Sequence, residues 1–427
     1  MNRVASMVPR PLSPRNVSFR DLQNTRVYGP FDLPAPDVAE QSLREFFASP
    51  RGRTALRHLD RGRSVTRRPN SRSDERDLLD TIVRRAAATE PRGLFDELMA
   101  RPFADVPLEV TVTDRYVGVR PNHSFSDGTS GNAWVVAVIS VAAGNPRFEL
   151  IDDLATRWPL PRALVRAGFL TPSAVRGALA TARRFVSEVP TAAAVPRPAV
   201  QTAAVLMDLE DLRRHAHAVS ATDSPLSVAS SLTLAVLRAA SAVIDPKLDP
   251  AILMSFEGRR YIGSARGTSG NFAPAMGIGR LREDTWTPDE LKRRISALVD
   301  SGAPLATVLR GALLDYRPHR AVRPANSADP HGSAPSGLGR PFAPGRAIAL
   351  SHILPTPEYD DLPWSSETER CCMSAAVTPS GIGITVYTER TGGVLTMSVV
   401  DDSELMDVEA FLDAVVADVG ARVHGRV

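Results

Sequence analysis

Residues 120–132 read RPNHSFSDGTSGN, with one histidine and one aspartate among mostly small residues. Upstream, residues 107–112 (PLEVTV) and 116–120 (YVGVR) alternate with a period of two, which predicts a β-hairpin. Downstream, residues 132–144 (NAWVVAVISVAAG) are almost wholly apolar and end in glycine, which predicts a helix buried on most sides. His123 is therefore predicted on the connection between a strand and a buried helix.

His123 and Asp127 are candidates for general-base chemistry. A neutral imidazole, with an ordinary pKa of about 6.5, can accept the proton of an alcohol or amine that attacks a carbonyl group. Asp127 lies beyond a predicted bend and is expected to pair with an arginine and to hold the shape of the loop. Gly128 is expected to permit the backbone angles of that bend. The spacing alone equally fits a structural or merely exposed histidine.

Composition indicates a folded, water-soluble chain of 427 residues, with 43% hydrophobic and 23% charged residues. The net charge of +3 is small, and almost all of the basic residues are arginine. A nucleic-acid partner is therefore not expected. Adjacent Cys371 and Cys372 cannot form a disulfide framework or a spaced metal site, which favours a reducing, cytoplasmic location. No stretch approaches the ~20 apolar residues of a membrane span. The bias towards arginine, alanine and proline suggests a GC-rich bacterium.

The rest of the chain alternates predicted strands and helices, which is typical of an α/β protein. The proline-rich residues 190–199 are interpreted as a connector, so the chain is divided into lobes at 1–195 and 200–427. Residues 317–346, rich in Pro, Gly, Ser and Arg, are interpreted as a mobile loop. Further elements are predicted as helices from residue 36, over 75–88, 209–218, 227–244 and 408–419, and as strands over 203–207, 251–256, 347–354, 381–387 and 394–400.

The order of strand, NHSFSDG and buried helix resembles the HHxxxDG motif of the acyl-CoA-dependent acyltransferase superfamily. That superfamily includes chloramphenicol acetyltransferase, condensation domains of nonribosomal peptide synthetases, polyketide-associated acyltransferases and wax ester synthases. His123 matches the second histidine of the motif, which is the base, and Asn122 replaces the first. A second block, residues 254–281, resembles the glycine-arginine and glycine-asparagine segment of the C-terminal lobe. There Arg259 matches the arginine that pairs with the motif aspartate, although Arg260 could equally do so.

The resemblance implies an α/β (α+β) fold of two chloramphenicol-acetyltransferase-like lobes with mixed sheets and an active-site channel between them. It implies transfer of an acyl group from an acyl-CoA or a phosphopantetheinyl carrier protein to a hydroxyl or amine of a small-molecule acceptor. His123 would be the base, with Asp127 and Gly128 completing the catalytic motif. Neither a metal, a tightly bound cofactor nor a covalent intermediate is required, and a monomer is favoured.

The pentapeptide GTSGN occurs at residues 128–132 and again at 267–271. Both copies offer hydroxyl groups and main-chain amides, which an oxyanion on a thioester carbonyl requires. Thr268, Ser269 and Asn271 are therefore structural or oxyanion candidates beside Arg259.

One alternative from a different class stays open. Asn122 replaces the first motif histidine, and Ala273 or Pro274 lies where condensation domains carry a second asparagine. For these two reasons the chain could be a catalytically inactive, condensation-like module that binds carrier proteins. His215 and His217 are interpreted as surface residues, and His352 and the cysteine pair are assigned no chemistry.

Overall fold

The computed structural model describes residues 9–13, 16, 22–61, 63–152, 154, 159–169, 171–187, 200–220, 226–263, 271–282, 286–315, 347–353, 357–377 and 383–427. Several predictions concern residues outside these ranges. They are the connector at 190–199, the loop at 317–346, and the oxyanion candidates Thr268 and Ser269.

The described residues form twelve α-helices and three short 3₁₀ helices. The α-helices are α1 (Pro36–Ala48), α2 (Arg72–Ile82), α3 (Pro91–Ala100), α4 (Gly128–Ala142), α5 (Glu149–Asp152), α6 (Pro159–Arg166), α7 (Pro172–Ser187), α8 (Leu209–Ala218), α9 (Val228–Val243), α10 (Pro288–Asp300), α11 (Ala303–Asp315) and α12 (Val408–Val419). The 3₁₀ helices are Gly52–Thr54, Gly258–Tyr261 and Pro357–Tyr359.

Fifteen strands in the described residues make three sheets. They are β1 (Arg10–Pro11), β2 (Gln23–Gly29), β3 (His58–Asp60), β4 (Val65–Arg67), β5 (Val83–Arg85), β6 (Leu108–Val112), β7 (Val117–Pro121), β8 (Gln201–Asp208), β9 (Ala251–Ser255), β10 (Ala275–Arg280), β11 (Ala347–Ile353), β12 (Cys371–Val377), β13 (Gly383–Thr391), β14 (Val394–Asp401) and β15 (Val423–Arg426). The sheet orders are β12-β2-β7-β6-β5, β10-β9-β11-β13-β14-β8-β15 and β1-β4-β3.

Both large sheets are mixed, as the α/β (α+β) prediction requires. In the five-stranded sheet the pair β5–β6 is parallel, while the pairs β6–β7, β7–β2 and β2–β12 are antiparallel. In the seven-stranded sheet β11 is parallel to both β9 and β13. The hairpins β6–β7 and β13–β14 confirm the period-two patterns of their sequences.

The first core lies between the five-stranded sheet and helices α1 and α4. Helix α1 buries one face, with Leu43, Phe46 and Phe47 at the helical spacing that predicted it. Helix α4 is buried from Ser130 to Ala142, which confirms the prediction from its continuous apolar run. Such a helix can form only inside a core, since it has no polar face to present to water.

A second core lies between the seven-stranded sheet and helices that include α9 and α12. Alternate strand residues such as Leu350, Val386 and Met397 point into this core. Helix α12 contributes the predicted stripe, of which Phe411 and Leu412 are fully buried. The sheet carries β9, whose end leads to Arg259.

Strand β12 joins the two sheets in a way that the linear pattern did not indicate. Although it lies late in the chain, it pairs with β2, and Cys372 lies opposite Tyr28. Its outer edge is covered by β14 side chains, because the amides of Cys372 and Ser374 donate to Thr396 Oγ1 (3.2 Å) and Ser398 Oγ (3.1 Å). The division at 1–195 and 200–427 stays a prediction, and each of the two large sheets contains strands from the later part of the chain.

Two local predictions were wrong. The helix predicted over residues 75–88 begins at Arg72 and ends at Ile82, because Val83–Arg85 is recruited as a strand parallel to β6. The buried helix begins at Gly128 and not at Asn132, since Asp127 caps it. Of the strand predicted over 381–387, residues 383–387 are in β13, and residues 381 and 382 lie outside the described residues.

Of the helices in the described ranges, none combines the length and apolarity needed to cross a membrane.

Candidate active site

His123 lies where the sequence predicted it, between β7 and α4. Its amide donates to the carbonyl of Leu22 (2.9 Å), and the turn that follows is closed by Phe125 N–H donating to Asn122 O (2.8 Å). The Asn122 side chain is fully buried and accepts from the Ser124 amide (2.9 Å) and hydroxyl (2.5 Å). Asn122 therefore shapes the turn, whereas His123 is half-buried and partly accessible.

Asp127 is the N-cap of α4. Its Oδ1 accepts from the Ser130 amide (3.1 Å) and hydroxyl (2.8 Å), while its own amide donates to Ser130 Oγ (3.0 Å). This reciprocal capping box satisfies first-turn donors and explains why the helix begins inside the GTSG segment. Gly128, expected to permit a bend, is the first helical residue, and its φ is not among the positive values in this chain.

Arg259 is the arginine that pairs with Asp127. Its Nη1 donates to Asp127 Oδ2 (2.9 Å) and its Nη2 to Asp127 Oδ1 (2.8 Å), a bidentate geometry in which both side chains are fully buried. Arg260, the other candidate, is exposed. The two partners are separated by 132 residues in the chain, so this ion pair joins the start of α4 to the end of β9.

Close packing of the segment after β9 places Arg259 next to Asp127. The Gly258 amide donates to Phe272 O (2.9 Å), and a Cβ on Gly258 would lie 2.2 Å from that same oxygen. Only glycine permits this approach. The Phe272 amide in turn donates to Asp127 Oδ2 (2.8 Å), so the aspartate receives bonds from both sides of this segment.

Asn271 holds the histidine from the same side. Its side-chain Nδ2 donates to the main-chain carbonyl of His123 (2.6 Å), and its amide donates to Asn16 Oδ1 (3.1 Å). Of the two roles predicted for Asn271, these contacts favour the structural one. The last residue of the other GTSGN copy, Asn132, lies inside α4 and accepts from the buried Arg26 (2.7 Å).

Their surroundings give His123 and Asp127 different protonation states at neutral pH. Burial lowers the pKa of His123, against opposing effects of the Asp127 charge and of hydrogen bonds with its own carbonyl and with Asn271. Burial by itself would raise the pKa of Asp127, but Arg259 and the Phe272 and Ser130 amides bring it to about 2. At neutral pH the histidine is neutral and the aspartate is ionised.

Comparison with known proteins supports this architecture. No family model and no curated protein matches the sequence. Among solved structures, TRI3 trichothecene 15-O-acetyltransferase from Fusarium sporotrichioides is 11% identical with a TM-score of 0.59, over 96% of this chain and 94% of that one. F. graminearum TRI101, complexed with coenzyme A and deoxynivalenol, is 12% identical with a TM-score of 0.60, over 98% and 100%. The EpoB NRPS cyclization-docking bidomain from Sorangium cellulosum is 12% identical with a TM-score of 0.55, over 97% and 83%.

The described residues have the two-lobed fold of these solved structures, which is the fold that the predicted resemblance implies. In this fold Asp127 of the HxxxDG segment caps the buried helix that packs on one large sheet, and Arg259 follows a strand of the other.

Two residues of this site, Glu257 and Thr129, were not predicted from the sequence. Glu257 accepts hydrogen bonds from the Arg259 amide (2.8 Å) and from Arg259 Nη1 (3.1 Å). It also accepts a hydrogen bond from the hydroxyl of Thr129. The available signal was an acidic residue two positions before the arginine in the block MSFEGRRY. Local pattern does not indicate that its side chain would turn back towards Arg259 and reach α4.

Proposed function

We propose that this protein is an acyltransferase that moves an acyl group from a coenzyme A or carrier-protein thioester to a hydroxyl or amine acceptor. The observation that carries the proposal is the environment of His123. A half-buried, neutral imidazole lies on a turn that both Asn271 and the Asp127–Arg259 ion pair hold in place. A general base requires a neutral side chain in a fixed position, and this arrangement provides it.

In the proposed reaction His123 takes the proton of the acceptor as the acceptor's oxygen or nitrogen attacks the thioester carbonyl. The tetrahedral adduct then collapses, the carbon–sulfur bond breaks, and the imidazolium returns its proton to the departing thiolate. Asp127 stays ionised and its negative charge stabilises the imidazolium, since that charge raises the pKa of His123. Because Arg259 occupies both of its oxygens, Asp127 positions the loop and does not itself take the substrate proton.

The amide of Gly128 is the proposed donor to the oxyanion. It is the first amide of α4, where main-chain N–H groups have no partner in the helix and the helix dipole favours negative charge. Apart from its chain neighbours and the backbone of α4, no atom of the described residues lies within 4 Å of a Cβ built on Gly128. Thr268 and Ser269 remain predicted contributors.

The position of Asn122 weighs against the inactive binding module. The first motif position was one of two reasons to consider that alternative. The Asn122 side chain is fully buried and bonded to Ser124, so this position shapes the turn. The replacement of the first motif histidine therefore leaves the proposed role of His123 intact.

The test is release of free thiol from a panel of acyl thioesters of coenzyme A and of a phosphopantetheinylated carrier protein, each with an alcohol and an amine acceptor. We expect acceptor-dependent release, and a loss of about 10²- to 10⁴-fold in His123→Ala. His217→Ala is the matched control, because His217 is exposed on α8 and should leave the rate unchanged.

Equal rates in the wild type and His123→Ala would show that the histidine is not the base. Complete absence of release with every donor and acceptor, together with carrier-protein binding, would establish the binding module instead.

A further inference from the structure

A second carboxylate shares the buried arginine of the site. Glu257 caps the 3₁₀ helix Gly258–Tyr261, where its Oε1 accepts from the Arg259 amide (2.8 Å) and both of its oxygens contact Arg259 Nη1 (3.1 and 3.2 Å). Arg259 therefore donates hydrogen bonds to the carboxylates of both Asp127 and Glu257. The Glu257 side chain keeps 21% of its surface exposed, whereas those of Asp127 and Arg259 keep none.

Glu257 also reaches across to the helix that carries Gly128. The hydroxyl of Thr129, the second residue of α4, donates to Glu257 Oε2. Together with the Asp127–Arg259 pair, this contact links four side chains, Asp127, Arg259, Glu257 and Thr129, which we name the Arg259 cluster. Gly128 lies in sequence between Asp127 and Thr129, so both of its neighbours are tied to the segment after β9.

Stability alone is a weak reason for this second carboxylate. Burial raises the pKa of Glu257 and nearby Asp127 adds to the increase, against the opposing charge of Arg259. Placing two carboxylates on one guanidinium is thus electrostatically unfavourable compared with a single pair. A cost of this kind is expected where a side chain must hold a geometry that a reaction needs.

We propose that Glu257 is a positioning residue, which through Thr129 and Arg259 keeps the Gly128 amide and the His123 ring in one fixed relation. This inference rests on the acyl transfer proposed above. Glu257 need not touch substrate, and its effect passes through the first turn of α4. Its loss should therefore lower kcat while leaving thioester binding largely intact.

The test compares Glu257→Ala, Thr129→Val, the double variant and Glu257→Gln. Each single variant that breaks the contact should lower kcat by about 10- to 100-fold with KM changed less than about threefold. The double variant should be no slower than the slower single variant, because both remove one shared contact. Glu257→Gln should recover most of the rate, since its oxygen can still accept from Arg259 and its amide can donate to the Thr129 hydroxyl.

Glu210→Gln provides a matched control, because Glu210 also pairs with an arginine, Arg213, but on an exposed turn of α8. Thermal unfolding of every variant identifies any that fail to fold, and Glu257→Gln keeps the test valid if Glu257→Ala does. Rates for Glu257→Ala and Thr129→Val close to that of wild type, or effects that multiply in the double variant, would overturn the inference.

The two proposals fail separately. If the wild type releases thiol and His123→Ala does not, while Glu257→Ala is unimpaired, only the role of Glu257 is wrong. If neither the wild type nor any variant releases thiol, the acyl transfer itself is wrong and the positioning role is lost with it.

Discussion

Two half-buried histidines of this chain, His123 and His352, differ in what surrounds them. His352 lies on β11 between two hydroxyl groups, with Nε2 2.9 Å from Thr233 Oγ1 and Nδ1 2.7 Å from Thr388 Oγ1. Burial alone lowers its pKa to about 4. His123 is lowered by burial too, but Asp127, Asn271 and its own carbonyl counteract the shift. Burial therefore keeps both histidines neutral at neutral pH, but only His123 has a nearby carboxylate whose charge favours its protonated form.

The largest expected effect on stability comes from removing the ion-pair partner of Asp127, the carboxylate near His123. Arg259→Met leaves Asp127 ionised and buried without its partner, so we expect a loss of about 3–5 kcal/mol in the free energy of unfolding. Thr388→Val, the corresponding change beside His352, removes one neutral hydrogen bond and should cost about 1–2 kcal/mol. Urea unfolding at neutral pH measures both.

Arg260→Met is the matched control for the arginine, because Arg260 is exposed and its replacement should stay within about 0.5 kcal/mol. Similar losses for Arg259→Met and Thr388→Val would mean that the two histidines have equivalent surroundings, and the comparison would not hold.

A smaller effect is expected from the titration of His352. Its folded-state pKa of about 4 lies below the unfolded value of about 6.5, so its contribution to stability is full above pH 6.5 and is lost as the pH falls towards 4. Between about pH 7.5 and pH 5 the wild type should lose about 2 kcal/mol more than His352→Gln does. Urea titrations at both pH values give this difference, and His217→Gln should match the wild type.

An equal pH dependence in wild type and His352→Gln would contradict the buried, neutral state of His352.

The smallest expected effect concerns the pH profile of the proposed reaction. Because the pKa of His123 is lowered, kcat/KM should stay constant down to below about pH 6.5 and fall only at more acidic pH. Thr388→Val should leave this acidic limb in place, since it changes only the surroundings of His352. If the rate already falls clearly above pH 6.5, the effect of the Asp127 charge on the pKa of His123 outweighs the effect of burial.

Much of the neighbourhood of His123 could be predicted because the relevant signals are local. A period-two hairpin and a continuous apolar run each depend on residues a few positions apart, and each appears in the structure. The same locality explains the failure at residues 75–88. The helical pattern there continues past Ile82, but pairing of Val83–Arg85 with β6 takes precedence over it.

The glycines of the site show where local reasoning misassigned a cause. Gly128 was expected to permit a bend and instead opens the first turn of a helix. Gly258, to which the sequence analysis assigned no role, is the position at which a side chain would collide with the Phe272 carbonyl. Whether a glycine serves a bend or a close approach depends on the chain that packs against it.

The amino-acid sequence by itself determined the β6–β7 hairpin, the buried nature of α4, and the placement of His123 and Asp127 between that hairpin and that helix. Only the tertiary structure decided that Arg259 and not Arg260 pairs with Asp127, that Glu257 joins this pair to Thr129, and that β12 belongs to the sheet of β2. The physical reason is distance along the chain. Caps and periodicity arise between neighbours, whereas a bidentate ion pair between residues 132 positions apart exists only once two sheets have packed.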